Sequence, residues 1–114
     1  RRVLFRSDCY GFLQARRQKV QKQEKMSVTK ERTKDLIKEY GRSATDSGSP
    51  EVQISILTTR IAEMTGHLQV HKKDYSSRRG LLRMVSRRRR LLDYVKRKNP
   101  QLYLDLLRRL EIRK

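Results

Sequence analysis

From Lys72 to Lys98 the chain carries twelve Lys or Arg and two acids, yet apolar residues recur through the whole stretch. Four of the arginines are consecutive, Arg87 to Arg90, with Leu81, Met84 and Val85 before them and Leu91, Leu92 and Val95 after. A basic tail has no such period. Projected at about 100° per residue, those six apolar residues form one arc of a helix. Arg79, Arg83, Ser86, Arg90, Tyr94 and Arg97 form the opposite arc. The segment is therefore a folded helix, with one face for a core and one for a polyanion. Guanidinium groups in a line suit phosphate oxygens, and the acids that would neutralise them on a merely solvated face are missing. Arg88 falls inside the apolar arc, where it either snorkels or pairs with an acid from another helix.

Composition bounds what such a helix can belong to. At 114 residues and 35% hydrophobic, the chain suits one small domain with a thin core. Its net charge of +18 predicts attraction to phosphates or an anionic surface and says nothing of fold. No apolar run approaches the ~20 residues of a membrane-spanning helix. The single cysteine, Cys9, excludes an internal disulfide and a cysteine-based metal site. With no Trp and two Phe, stacking on unpaired bases is not an obvious binding mode.

Four helices are expected after Met26. The first spans about 30–40, with Thr29 as N-cap, Glu31 in the first turn, Leu36, Ile37 and Tyr40 on its apolar side and Gly41 as its stop. A polar loop, 42–49, leads to Ser49-Pro50-Glu51, which reads as N-cap, proline at the first position and an acid at the positive dipole end. Ile54, Leu57, Ile61, Met64 and Leu68 then make a helical stripe. After a basic turn, 70–74, the third helix covers 75–98, about 36 Å at 1.5 Å per residue. Asn99-Pro100 ends it and begins a fourth, with Leu102, Leu106 and Leu110 stacked. Short loops imply antiparallel neighbours.

Three polar groups remain after the core is assigned. Gln53, Arg60 and His67 are seven apart and superpose along the second helix. They form either an exposed polar face or a row reaching nucleotide edges. Asp46-Ser47-Gly48-Ser49 is either a plain turn before a capped helix or an amide cradle for phosphate. His67, His71, Asp74 and Ser77 invite two enzymatic readings. The paired histidines lack the adjacent Glu of a metalloprotease helix. The Ser, His and Asp lie so close in sequence that triad geometry does not follow. Polar RNA contacts from a helix-helix turn explain the same residues more simply. No metal or cofactor is expected.

The segment His71-Lys-Lys-Asp-Tyr-Ser-Ser-Arg-Arg-Gly-Leu-Leu-Arg-Met-Val-Ser-Arg-Arg-Arg-Arg-Leu-Leu-Asp-Tyr94 closely resembles the signature of the bacterial small-ribosomal-subunit protein 15 family. Asp46-Ser-Gly-Ser-Pro-Glu-Val-Gln53 resembles its second hallmark. The resemblance covers 26–114. It implies an all-α fold of four helices, an antiparallel three-helix bundle plus a mobile N-terminal helix. It implies a non-enzymatic structural constituent of the small subunit that is a primary binder of 16S rRNA in the central domain. One surface would grip a three-way junction with Ser47, Gly48, Gln53, Tyr94 and Arg97, joined by Arg60 and Arg90. A second, His67, Asp74 and Ser77, would read the shallow groove of a helix bearing a G·U/G·C motif. Lys72, Lys73, Arg79 and Arg83 would add phosphate contacts. An A-form minor groove is wide enough for short polar side chains, so Asp74 is expected to accept from a guanine amino group or a sugar hydroxyl. Ser47 stands where threonine is more usual, and no role is carried to Tyr75 or Ser76. Further implied partners are neighbouring central-domain proteins and large-subunit rRNA across a bridge. The protein would be a monomer outside a bacterial cytoplasmic ribosome, with an organellar ribosome the less favoured setting and no membrane partner.

Residues 1–25 hold eight basic and two acidic residues without a sustained period. Arg1-Arg-Val-Leu-Phe-Arg-Ser7 is similar to a translated sequencing adapter. The expectation is that 1–25 is an adapter and leader artefact, with a basic arm or a transit peptide as rivals. The alternative function is a basic helical DNA-binding protein of nucleoid type. It has the charge but no dimer seam continuing its basic helix.

Overall fold

A computed structural model describes residues 28–113, so the expected break at Met26, the 1–25 segment and Cys9 lie outside the described residues. Within them the chain forms four helices, α1 (Lys30–Tyr40), α2 (Pro50–Val70), α3 (Tyr75–Lys98) and α4 (Pro100–Arg109). The architecture is all-α.

The helix ends are chemically marked. Thr29 Oγ1 accepts from the Arg32 amide at 3.3 Å, as its position predicts. Gly41 ends α1 for a different reason from the expected one. Its backbone is extended, φ −76°, and its amide donates to the Ile37 carbonyl. A Cβ there would collide with that same carbonyl oxygen, so close approach selects glycine and left-handed backbone does not. Ser49 precedes α2 but its hydroxyl makes no capping bond. Asp46 holds the loop instead, taking the Ser49 amide on Oδ1 at 3.2 Å and the Arg42 amide on Oδ2 at 3.3 Å. α2 runs on to Val70, so the basic turn is one residue shorter than expected. α4 closes with Glu111 at φ 50° and the Ile112 amide donating to the Leu107 carbonyl at 3.2 Å. That is a Schellman turn built without glycine.

α2 packs on α3, α3 on α4, and α1 on α2. The core is Ile54, Leu92, Val95 and Leu106, with Tyr40, Leu102 and Leu110 against it. α1 contributes one fully buried side chain, Leu36, beside the half-buried Ile37 and Tyr40. So narrow an attachment opens at a lower free-energy cost than that of the bundle helices.

The core occupies one end of the α2–α3 hairpin. Of the α2 stripe, Ile54 and Leu57 are buried, while Ile61, Met64 and Leu68 are half-buried. On α3, Leu92 and Val95 are buried, and Leu81, Met84 and Leu91 are half-buried. Val85, expected in the core arc, is exposed, and its neighbour Leu82 is 62% exposed. The reason is geometric: toward the turn only two helices run together, and no third layer covers the stripe. Arg88 is half-buried and has no acidic partner among the described residues. It snorkels, and burial pushes its guanidinium pKa down from the usual value.

Candidate nucleic-acid interface

The His71–Asp74 turn brings the end of α2 against the start of α3, and Asp74 becomes the N-cap of α3. Its Oδ1 accepts from the Ser77 amide at 3.2 Å and the Ser76 hydroxyl at 2.8 Å. Its Oδ2 accepts from the Ser77 hydroxyl at 2.6 Å and meets His67 Nε2 at 3.0 Å. A carboxylate offers about four lone-pair sites, and all are taken. The Ser77 hydroxyl, then His67, Ser76 and the Ser77 amide hold the Asp74 carboxyl far below the usual aspartate range.

This geometry revises the role expected of Asp74. It organises the turn before it can accept anything from RNA. With Nε2 turned to the carboxylate, His67 keeps Nδ1 for a partner, and the Ser77 hydroxyl, having donated inward, presents its lone pairs outward. The enzymatic reading loses its basis here. Ser77 and His67 both bond to the aspartate, which sits between them. A triad needs histidine in the middle, to take the serine proton. The His67 and His71 rings approach to 4.8 Å at a 40° tilt. No group of three or more His, Cys, Asp or Glu among the described residues could hold a metal ion. Lys72 and Lys73 rim an open depression beside His67 and Asp74.

The second cluster lies at the other end of α2. Gln53 Nε2 donates to the Gly48 carbonyl at 2.8 Å, so a residue expected to reach RNA freely also braces the loop that carries Ser47 and Gly48. Ser47 and Gly48 are exposed. Across a crevice from this loop stands Tyr94, 47% exposed, with Val95, Lys98 and Asn99 on the same wall. Arg97 is exposed and donates to the Asp93 carbonyl at 3.4 Å. Between the clusters, Arg60, Arg79, Arg83 and Arg90 are exposed and have no acidic partner among the described residues. The structure thus joins His67, Asp74 and Ser77 at one end of the hairpin. It joins Gly48 to Gln53 and sets Tyr94 across from their loop at the other. The four arginines between belong to neither cluster.

Reading by sequence gave Asp46 no role of its own within the 46–49 turn, carried none to Ser76, and passed over Arg42 and Lys98. Asp46 had a legible signal, an acid three residues before a helix-entry serine. Ser76 is a short hydroxyl two residues after an N-cap aspartate. Lys98 had one as well, four residues after Tyr94 on the same helix face. Arg42 carried none, because only packing sets it beside Tyr94.

A helical hairpin with unneutralised arginines and a polar cluster at each end defines a basic all-α protein for a structured polyanion. A family profile described as Ribosomal protein S15 matches residues 33–113. Small ribosomal subunit protein uS15 of Rhodopirellula baltica is 60% identical over 89 residues, which are 78% of this chain and 100% of the relative. The uS15 proteins of Ralstonia pickettii and Alkalilimnicola ehrlichii are 56% and 52% identical over the same length, again 78% of this chain and all of each relative. The chain belongs to the ribosomal protein S15 family. It is a structural, non-enzymatic component of the small ribosomal subunit.

Proposed function

We propose that the protein binds the central domain of 16S rRNA through two separate surfaces and organises that RNA for later proteins. The observation that carries this reading is the placement of the two polar clusters. They sit at opposite ends of α2, whose 21 residues span about 31 Å at 1.5 Å per residue. One surface, Ser47, Gly48, Gln53, Tyr94 and Arg97 with Arg60 and Arg90, meets converging backbones at a three-way junction. The other, His67 and Ser77 held by Asp74, reads a minor groove at a G·U/G·C motif. Lys72, Lys73, Arg79 and Arg83 add phosphate contacts that position the protein without specifying sequence. Bound at both points, one protein fixes the angle between two RNA helices, and neighbouring small-subunit proteins then meet RNA already folded. A monomer in the bacterial cytoplasm, contact with large-subunit rRNA across a bridge, and 26–114 as the RNA-binding unit complete the proposal. The aligned length of 89 residues supports that last boundary.

The test is competition at moderate salt. A junction RNA carrying the G·U/G·C helix binds far more tightly than duplex DNA of equal length, and chemical footprinting of small-subunit rRNA protects both sites. Equal affinity for the two nucleic acids would overturn the reading in favour of a general basic DNA binder.

A further inference from the structure

We infer that the crevice between the 42–49 loop with the start of α2 and the end of α3 is a pocket for one unstacked nucleotide whose base carries an amino group. The inference rests on the RNA-binding reading above and adds to it a ligand chemistry and three residues, Glu51, Arg42 and Lys98. The crevice has a volume of about 470 Å³. That lies within the ~300–1,000 Å³ of ordinary small-molecule sites. Pro50, Val95 and Leu102 supply an apolar lining and Tyr94 an exposed ring. Arg42 and Lys98 bring two cations to the same opening.

Glu51 sits at the positive end of the α2 dipole, yet with Ser49 Oγ and Glu63 Oε2 it is among the described residues that keep a buried polar atom unpartnered. Its side chain is 7% exposed, and its Oε2 is buried with no hydrogen-bond partner. Among the described residues its Oε1 has only Arg42, at 3.6 Å, and the Arg42 side chain is 74% exposed. Charge-assisted bonds run at about 2.7–2.9 Å, so this pair is loose, and its exposed member is readily drawn off by a competing anion. A phosphate entering between Arg42 and Lys98 is such an anion. Once Arg42 turns to phosphate, Glu51 becomes a buried carboxylate in need of a donor. An exocyclic amino group supplies it, as carboxylates accept from cytosine N4 in base readout. Tyr94 offers the base a stacking face. A cationic peptide or a metal ion would face Arg42 and Lys98 at the mouth and gain only one free acceptor inside. The carboxylate must swing toward the crevice to meet the base, and its long contact with Arg42 is the only polar tether on it among the described residues.

Cytidine and uridine monophosphate test this, because they share size and charge, while uridine carries a carbonyl in place of the amino group and a proton on the adjacent N3. Titrated into the full chain and followed by amide NMR, cytidine monophosphate is expected to shift residues 49–53 and 94–99. Uridine monophosphate should bind there about tenfold more weakly, the scale of one good base contact. Glu51→Gln can turn its own amide nitrogen toward the uridine carbonyl, so the preference should collapse or reverse. Lys98→Ala should weaken both nucleotides and leave their ratio unchanged, which controls for folding and for charge. Equal affinities for the native chain, shifts confined to the α3 arginines, or a ratio indifferent to Glu51→Gln each overturn the pocket. The same samples are tested against the junction RNA. Tight RNA binding with no nucleotide in the crevice sinks this inference alone, whereas loss of RNA binding by the native chain sinks the functional reading itself.

Discussion

At the α1–α4 end of the hairpin, Ile54, Leu92, Val95 and Leu106 exclude water from every side. At the turn end, four hydrogen bonds converge on the Asp74 carboxylate while the nearby apolar side chains Val70 and Tyr75 lie exposed. One end is held by burial and the other by directional polar contacts. Each method of construction suits the surface it carries. The loop proposed to face a junction needs a rigid base, which a core supplies. The turn proposed to read a minor groove needs short side chains in fixed rotamers, which a saturated carboxylate supplies at the price of little apolar area.

The sharpest way to break this contrast is to remove one group from each end. Ile54→Ala, at a site of 0% exposure, should cost about 2–5 kcal/mol in urea unfolding. It should leave minor-groove discrimination intact at temperatures where the protein stays folded. Asp74→Ala should do the reverse. Unfolding should change less than for Ile54→Ala, while preference for the cognate groove falls about tenfold once His67 and Ser77 lose their anchor. Similar losses of stability from both would refute the idea of two differently built ends.

Binding separates the ends by salt. Arg97→Ala should weaken RNA binding and reduce the slope of log K against log salt by about one, because one phosphate contact no longer releases a counterion. His67→Ala should lower discrimination with a smaller change of slope. Identical behaviour of the two variants would leave a single undivided surface.

Acid offers a further distinction. The Asp74 pKa is lower in the folded chain than in the unfolded one. Its contribution is therefore full above the ordinary aspartate value of about 4 and fades only as pH falls well below it. The Ser76 and Ser77 amide resonances should hold steady while ordinary carboxylates titrate. A midpoint near 4 at those amides would mean that the network does not form in solution. The smallest expected effect is at the apolar end. Glu111→Gly relieves a left-handed residue, φ 50°, and should stabilise by about 0.5 kcal/mol in thermal unfolding.

Much of this was legible before any folding. The bounds of α1 and α3 follow from Thr29 and Gly41, and from the turn chemistry before Tyr75 together with Asn99-Pro100, because caps and breakers act over three or four residues. The exposed arginine line on α3 follows from a helical period that any reader can project. The candidate residues of both surfaces came from local motifs, and His67, Asp74 and Ser77 do assemble. Other parts were hidden. The apolar stripe looks uniform from Ile54 to Leu68, yet only its first half is fully buried. A stripe records which side faces inward and not how many layers cover it.

What the sequence alone determined is therefore local and periodic: where helices start and stop, which faces are apolar, and that one face attracts a polyanion. Those properties depend on neighbours within a turn or two of the chain. Tertiary structure alone decided which apolar residues become core and that Tyr94 faces Glu51 and Arg42 across a crevice. Those properties join residues up to about fifty positions apart. Burial and hydrogen-bond partners are set by what closes over a side chain, and no periodicity along one helix encodes that.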